Sequence, residues 1–223
     1  VANLKYACLI LDHDDTTVDS TSMIHYPAYL EAMRILRPGF PVLTLAQFFV
    51  KHIGIGFYAY LRDELKMDPA ELERELNIWR EFTRQQVPKF YPEMVGFLKD
   101  YRAHGGIIAV SSHSEVEIIE RDYRANMENF LPDIIFGWDE LETRRKPDPY
   151  PVLTTMEQFH LRPEQILVVD DLKWGIIMGK GAGIATAAAG WGYKVPEVES
   201  YMRSNCDYYW PTVREFRENI IKD

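Results

Sequence analysis

Five short apolar runs separated by helical stretches constrain this chain more than any other feature. They occupy residues 6–11, 107–110, 134–136, 166–169 and 184–188. The first four are almost continuously apolar rather than alternating, as strands buried on both faces are. The fifth is Ala-rich and completes the series. Strands alternating with helices predict an α/β fold, a parallel sheet covered by helices. In open sheets of that kind, ligands bind beyond the carboxyl ends of the strands. The residues that end each run are therefore where chemistry is expected.

Helix signals fall between the runs. Ser114 with Glu117 forms a capping-box pattern that predicts a helix over 114–124. Residues 93–103 place Met94, Phe97, Leu98 and Tyr101 on one face, and Gly105 is a natural stop. A further helix is expected over 172–182. The stretch 20–87 breaks the alternation, with several helical patterns and no convincing strand. Its clearest helix starts at Asp68, with Pro69 first and Glu71 closing a capping box. Leu72, Leu76, Trp79 and Phe82 then recur at helical spacing. We expect a core domain of residues 1–19 and 88–223 and an inserted helical domain over 20–87. Phe48, Phe49, Phe57, Tyr58 and Tyr60 are assigned to the core of that insert.

Composition excludes some functions. With 223 residues, 47% hydrophobic and 26% charged, the chain is that of an ordinary globular protein. No run of about 18 apolar residues exists, so no transmembrane helix is expected. Nor is a signal peptide, because the first residues lack a basic segment and a small-residue cleavage site. Cys8 and Cys206 lie far apart, and Cys8 sits in an apolar run, which fits a reducing cytoplasm better than a disulfide framework. The net charge of −9 disfavours a nucleic-acid surface but leaves room for a small anionic substrate in a local pocket.

Four strand-end segments carry candidate chemistry. The first run ends in Asp12-His13-Asp14-Asp15-Thr16. Residues two apart in extended chain face the same way, so Asp12 and Asp14 can converge. Such a pair serves one nucleophile or metal ligand and one general acid/base, although a solvated acidic loop has the same composition. The second run leads into Ser111 and Ser112, whose hydroxyl and amide groups before a helix suit a phosphate oxygen or simple capping. Lys146 lies in Arg144-Arg145-Lys146-Pro147-Asp148-Pro149 and could neutralise a transferring phosphoryl group or be a solvated base. The fourth run ends in Asp170-Asp171, hard oxygen ligands for magnesium, with Asp171 also placed to cap a helix. An EF-hand at Asp12 is excluded by Thr17 and Met23 where Gly and Glu are required. The glycines of 175–183 lack phosphate-loop spacing and read as close helix packing and a helix end.

In this order, the four segments resemble the four motifs of the haloacid dehalogenase superfamily. Asp12-His13-Asp14-Asp15-Thr16 is similar to the first, Ser111 to the second, Lys146-Pro147 to the third and Asp170-Asp171 to the fourth. Tyr91-Pro92 and Trp191-Gly192-Tyr193 extend the likeness, which is greatest to the phosphoglycolate phosphatase and beta-phosphoglucomutase group. The resemblance implies a Rossmann-like core with an inserted α-helical cap, and a magnesium-dependent phosphatase acting on a small phosphorylated metabolite. It implies that Asp12 becomes an aspartyl phosphate and Asp14 serves as acid and then base. Ser111, the Ser112 amide and Lys146 would hold phosphoryl oxygens. Magnesium would be held by Asp12, the Asp14 backbone carbonyl and Asp171, with Asp170 a further ligand. Asp15 replaces the usual Gly of the first motif and Thr17 the usual Leu.

Asp14 argues against a dehalogenase, since a leaving halide needs no proton. A phosphomutase is the chief alternative, and a binding protein that has lost turnover is another. In the mutase a His stands five residues after the Asp of an Asp-Ser or Asp-Thr pair; here Asp19-Ser20 is followed at that spacing by Ile24, with His25 one place late. Ordinary polar roles are expected for His25 and His113, with proximity to the site the alternative; Lys51, His52 and Arg62 are candidates for substrate contact, with solvated surface the expected role. The sequence implies no nucleic-acid or membrane partner and leaves the oligomeric state open.

Overall fold

The computed structural model describes residues 3–139 and 141–222. The chain opens with β1 (Asn3–Leu4), β2 (Cys8–Leu11) and the short β3 (Val18–Asp19). From there to β4 (Lys89–Phe90) it is helical. This stretch contains α1 (Tyr26–Leu36), α2 (Leu45–Ile53), the single turn α3 (Phe57–Ala59) and α4 (Pro69–Gln85), with π-helical turns at Thr21–His25 and Tyr60–Glu64. Helix and strand then alternate through α5 (Met94–Ala103), β5 (Ile107–Ser111), α6 (Val116–Asn126), β6 (Ile134–Phe136) and α7 (Tyr150–Phe159). The last elements are β7 (Ile166–Asp170), α8 (Lys173–Gly181), β8 (Ala185–Ala189), α9 (Pro196–Asn205), β9 (Tyr208–Trp210), α10 (Val213–Ile220) and β10 (Ile221–Lys222).

Six strands make one parallel sheet in the order β6-β5-β2-β7-β8-β9. Five of them are the apolar runs, and β9 is an edge strand added to them. Leu9, Leu11, Val110 and Val169 pack on one side with Phe97, Tyr101, Tyr123 and Phe216. Cys8, Ile10, Ala109 and Val168 pack on the other with Val152 and Met178. Burial on both faces is why these runs show no polar alternation. Each large side chain so buried contributes about 1.5–3 kcal/mol. Leu11 pairs with both Val110 and Val169, so the next residues, Asp12, Ser111 and Asp170, emerge side by side.

Local signals hold with two corrections. The box at α4 forms as expected, the Asp68 carboxylate accepting the Glu71 amide and the Glu71 carboxylate accepting the Asp68 amide. Ser114 does not cap α6, which begins at Val116 after Glu115. Its hydroxyl donates instead to Asp14 Oδ2 at 2.6 Å, because an ionised carboxylate is the stronger partner. Likewise Asp170 Oδ1, not Asp171, accepts the Leu172 amide that opens α8. The glycines of α8 do pack closely: a Cβ on Gly175 would lie 2.3 Å from Asp170 Oδ2, and one on Gly179 2.7 Å from Thr186.

The helical stretch joins the sheet through two crossing segments, β3 and β4, which pair antiparallel (Val18 with Phe90, Asp19 with Lys89). Phe48 and Tyr60 are buried inside it with Tyr29, Met33 and Leu61. Tyr58, by contrast, is 60% exposed. Phe49 leaves the insert altogether. It packs with Ile176, Ala188, Val195, Val198 and Met202 and stacks on Tyr193, ring centroids 3.4 Å apart. The Lys173 ammonium donates to the Gly54 carbonyl beside it, so α2 is seated on the start of α8.

Candidate active site

Beyond the strand ends, Asp12, Asp170 and Asp171 bring one carboxylate oxygen each within 4.8 Å of the others, all three buried. Lys146 reaches into this cluster from the loop before α7. Its ammonium donates to Asp12 Oδ1 at 2.5 Å and to Asp170 Oδ2 at 2.7 Å. Burial opposes its charge, but the two carboxylates outweigh burial and hold the proton on. One ammonium for three carboxylates leaves an excess of negative charge. Burial therefore pushes Asp12 up to about 7, with Lys146 opposing and Asp170 and Asp14 adding to the rise. Asp171 is raised well above the usual carboxylate range by burial and by Asp12 and Asp170. Its oxygens accept hydroxyls from Thr16 at 3.3 Å and Tyr193 at 2.7 Å. Closely set hard oxygens short of positive charge fit a small divalent cation.

Asp14 lies outside this cluster and has different company. Its Oδ1 accepts the Ser20 hydroxyl at 2.7 Å and faces His25 Nε2 at 2.9 Å. Its Oδ2 accepts the hydroxyls of Ser114 at 2.6 Å and Ser112 at 3.3 Å. Burial alone would raise the group, but His25, His13 and the Ser114 hydroxyl hold it well below the usual range. The two first-motif carboxylates thus differ sharply in proton affinity, the arrangement that separates acid/base work from nucleophilic work.

Ser111 stands at the strand end, yet its hydroxyl points to Met178 Sδ at 3.6 Å and not to a carboxylate. Ser112 and Ser114 occupy the cleft side instead. His113 binds the Lys146 carbonyl at 2.8 Å and so anchors the lysine's loop. Asp15 adopts φ +57°, the left-handed turn that Gly would take, and its carboxylate accepts the Thr21 amide at 3.1 Å. Asp and Asn tolerate that region better than most residues. The backbone turn of the first motif is thereby kept without its Gly.

Matching chemistry with ancestry, residues 6–183 fit the haloacid dehalogenase-like hydrolase family. The chain belongs to that family. Among curated proteins, this hydrolase is 31% identical over 193 residues to a phosphoglycolate phosphatase of Aquifex aeolicus (strain VF5), covering 83% of this chain and 85% of that protein. It is 24% identical over 132 residues to the pyrophosphatase PpaX of Bacillus cereus (strain G9842), covering 58% and 61%. Its fold matches a haloacid dehalogenase-like hydrolase structure from Bacteroides fragilis with a TM-score of 0.77 at 20% identity, covering 95% and 100%.

Two contacts of this hydrolase's site go beyond the default sequence expectations. His25 was expected in an ordinary polar role, with proximity to the site the alternative, and it sits on Asp14. Trp79 reads as an apolar position of α4, but its indole N–H donates to His25 Nδ1 at 2.9 Å. An indole can only donate, so in the neutral ring Nδ1 accepts and Nε2 carries the hydrogen directed at Asp14. The displaced spacing was the available signal for His25; the π-helical turn at Thr21–His25 accommodates the extra residue. The expectations for Lys51 and Arg62 agree with their places. Lys51 pairs with Glu64, and Arg62 with Asp63 at the surface. His52 packs instead on the rings of Phe48 and Phe57.

Proposed function

We propose that this hydrolase is a phosphatase for a small phosphorylated metabolite, with Asp12 as nucleophile and Asp14 as acid/base. The observation that carries the reading is the divergence of two neighbouring carboxylates. Asp12 is gripped by Lys146 among other acids, whereas Asp14 is held by hydroxyls and an imidazole. An oxygen of Asp12 attacks phosphorus and the ester oxygen departs with a proton, leaving an aspartyl phosphate. Asp14, ionised in its present company, suits the second half, taking a proton from the water that cleaves the acyl phosphate. In the first half a proton that Asp14 takes up from solvent passes to the departing ester oxygen. Lys146 steadies the phosphoryl oxygens and Ser111 joins it if its hydroxyl turns away from Met178; the Ser112 amide, expected in the same role, donates to the Phe136 carbonyl at 2.9 Å, which leaves Ser112 its hydroxyl for that task.

Magnesium suits the oxygen set of Asp12, Asp170 and Asp171, with the Asp14 backbone carbonyl as the further ligand. When bound it would offset these carboxylates and draw the phosphoryl group toward Asp12. The helical stretch 20–87 acts as the cap, excluding water from the reacting centre. The names of the two curated relatives, a phosphatase and a pyrophosphatase, support hydrolysis of a phosphoryl group. A cytoplasmic setting is supported by the two unpaired cysteines. Among the described residues no helix is long and apolar enough to cross a membrane.

The test is phosphate release from a panel of phosphorylated metabolites and an aryl phosphate with magnesium. Release by the wild type and its loss in Asp12→Asn is the expected result. The contact of His25 with Asp14 favours one second reading, a mutase. Isomerisation of a sugar phosphate stimulated by a bisphosphate, exceeding hydrolysis, would select it.

A further inference from the structure

His13 lies between the two first-motif aspartates, and strand alternation turns it away from them, under the catalytic loop. It is fully buried. Its Nε2 meets Asp122 Oδ2 on α6 at 3.1 Å, its ring stacks on Tyr123, and its Nδ1 has no partner. Asp122 is itself buried, and its other oxygen accepts Nε and Nη2 of Arg121 at 2.9 and 2.6 Å. Arg121 then reaches across to the helical cap. Nη1 donates to the carbonyls of Thr83 at 2.6 Å and Arg84 at 3.2 Å, and Nη2 to that of Gln86 at 2.8 Å. These are carbonyls of the last turn of α4 and the segment returning to the core. The helix itself leaves such groups unpaired. Asn126, one turn further along α6, donates to the Pro88 carbonyl at 3.1 Å.

We propose that His13, Asp122 and Arg121 are positioning residues that couple the seating of the cap to the geometry of the Asp12–Asp14 loop. The inference rests on the phosphatase reading for its kinetic consequence only. A buried ionic chain is a poor source of stability, because desolvation consumes most of the attraction. It does fix geometry, since each group loses its compensation if its neighbour moves. Here the chain begins at the residue between nucleophile and acid/base. It ends on the root of the helix that carries Trp79, the partner of His25. A tilt of α4 that withdrew Arg121 would leave Asp122 short of charge, and His13 would follow. The cap root and the catalytic loop therefore shift together.

The test compares the full chain with Arg121→Met, Arg121→Lys and the near-isosteric Asp122→Asn by hydrogen–deuterium exchange. Arg121 keeps 28% of its side chain exposed, so Met can occupy its place without a cavity. In Arg121→Met and Asp122→Asn, amides of 83–90 and of 13–18 should exchange at least tenfold faster together, while those of β2 and β7 hold. Arg121→Lys should lie between. With an aryl phosphate and magnesium, kcat of the two breaking variants should fall roughly tenfold or more, as a small misplacement of reacting groups does. KM should stay within twofold, because Lys146 and Ser112 lie outside the chain. Faster exchange confined to 83–90 and α6, or spread through β2 and β7, would overturn the proposal. So would wild-type kcat in the folded variants. A wild type without any hydrolysis would sink the phosphatase reading alone, leaving exchange to decide the coupling.

Discussion

His25 reaches Asp14 although one residue too many separates it from Asp19. The π-helical turn absorbs that residue, and Trp79 fixes which nitrogen bears the hydrogen. On the proposed reaction His25→Ala removes a donor that holds Asp14 ionised. We expect kcat to fall at least tenfold, the lower range of acid/base contributions, with KM little changed. Trp79→Phe keeps the ring and loses only the indole donor, so its kcat should fall less. Steady-state kinetics on an aryl phosphate decide both, and a change confined to KM would count against the assignment. At this scale, residue types at strand ends were legible: Asp12, Asp14, Lys146, Asp170 and Asp171 all gather at the cleft. What was not legible is side-chain direction within a loop, where Ser111 turns to Met178 and Ser114 leaves its helix for Asp14. Hydroxyl direction depends on the charge nearby in space, which chain order does not contain.

Among the elements, the parallel strands were legible because burial on both faces writes itself as unbroken apolar sequence. β9 was not, being three aromatic residues at a sheet edge, too short to show a period. Phe49 shows the same limit for a helix. Helical spacing places it on an apolar face of α2, and two apolar partners compete for that face. The sheet side wins, through Tyr193 and α9. The consequence is that Phe49 stabilises the contact of the helical stretch with the sheet side rather than the interior of that stretch. Phe49→Ala should lower stability by about 3 kcal/mol, as buried Phe truncations do, measured by thermal or urea unfolding. It should also free Tyr193, the hydroxyl donor to Asp171. A truncation of Tyr58, exposed on the same stretch, should change stability by less than about 0.5 kcal/mol.

Across the whole molecule the formal charge is −9, and part of the excess is concentrated in the buried cleft. Groups with raised proton affinity in the folded state lend stability at low pH and withdraw it as pH rises through the folded value. Asp12 at about 7, Asp15 at about 6, Glu75 at about 7 and Asp171, raised well above the usual range, are of this kind, all raised first by burial. His25 acts in the same direction, since Asp14 outweighs burial and raises it. His52 and His113, lowered to about 4 by burial, act oppositely, but only below the ordinary imidazole value of 6.5. Asp14, held low, matters only below its ordinary 3.8. Between pH 6.5 and 8 the raised groups outweigh what remains of this opposing effect. Stability in a chelator should therefore fall with rising pH, on the order of 1 kcal/mol across that window. Asp12→Asn should flatten the slope by removing one of its sources. Millimolar magnesium should raise the melting temperature most at pH 8, because a cation bound to ionised carboxylates displaces the protons that otherwise relieve them. Melting curves at several pH values, with chelator and with magnesium, measure all three. A melting temperature that rises with pH in chelator would mean that the cleft acids are compensated by some other cation than Lys146.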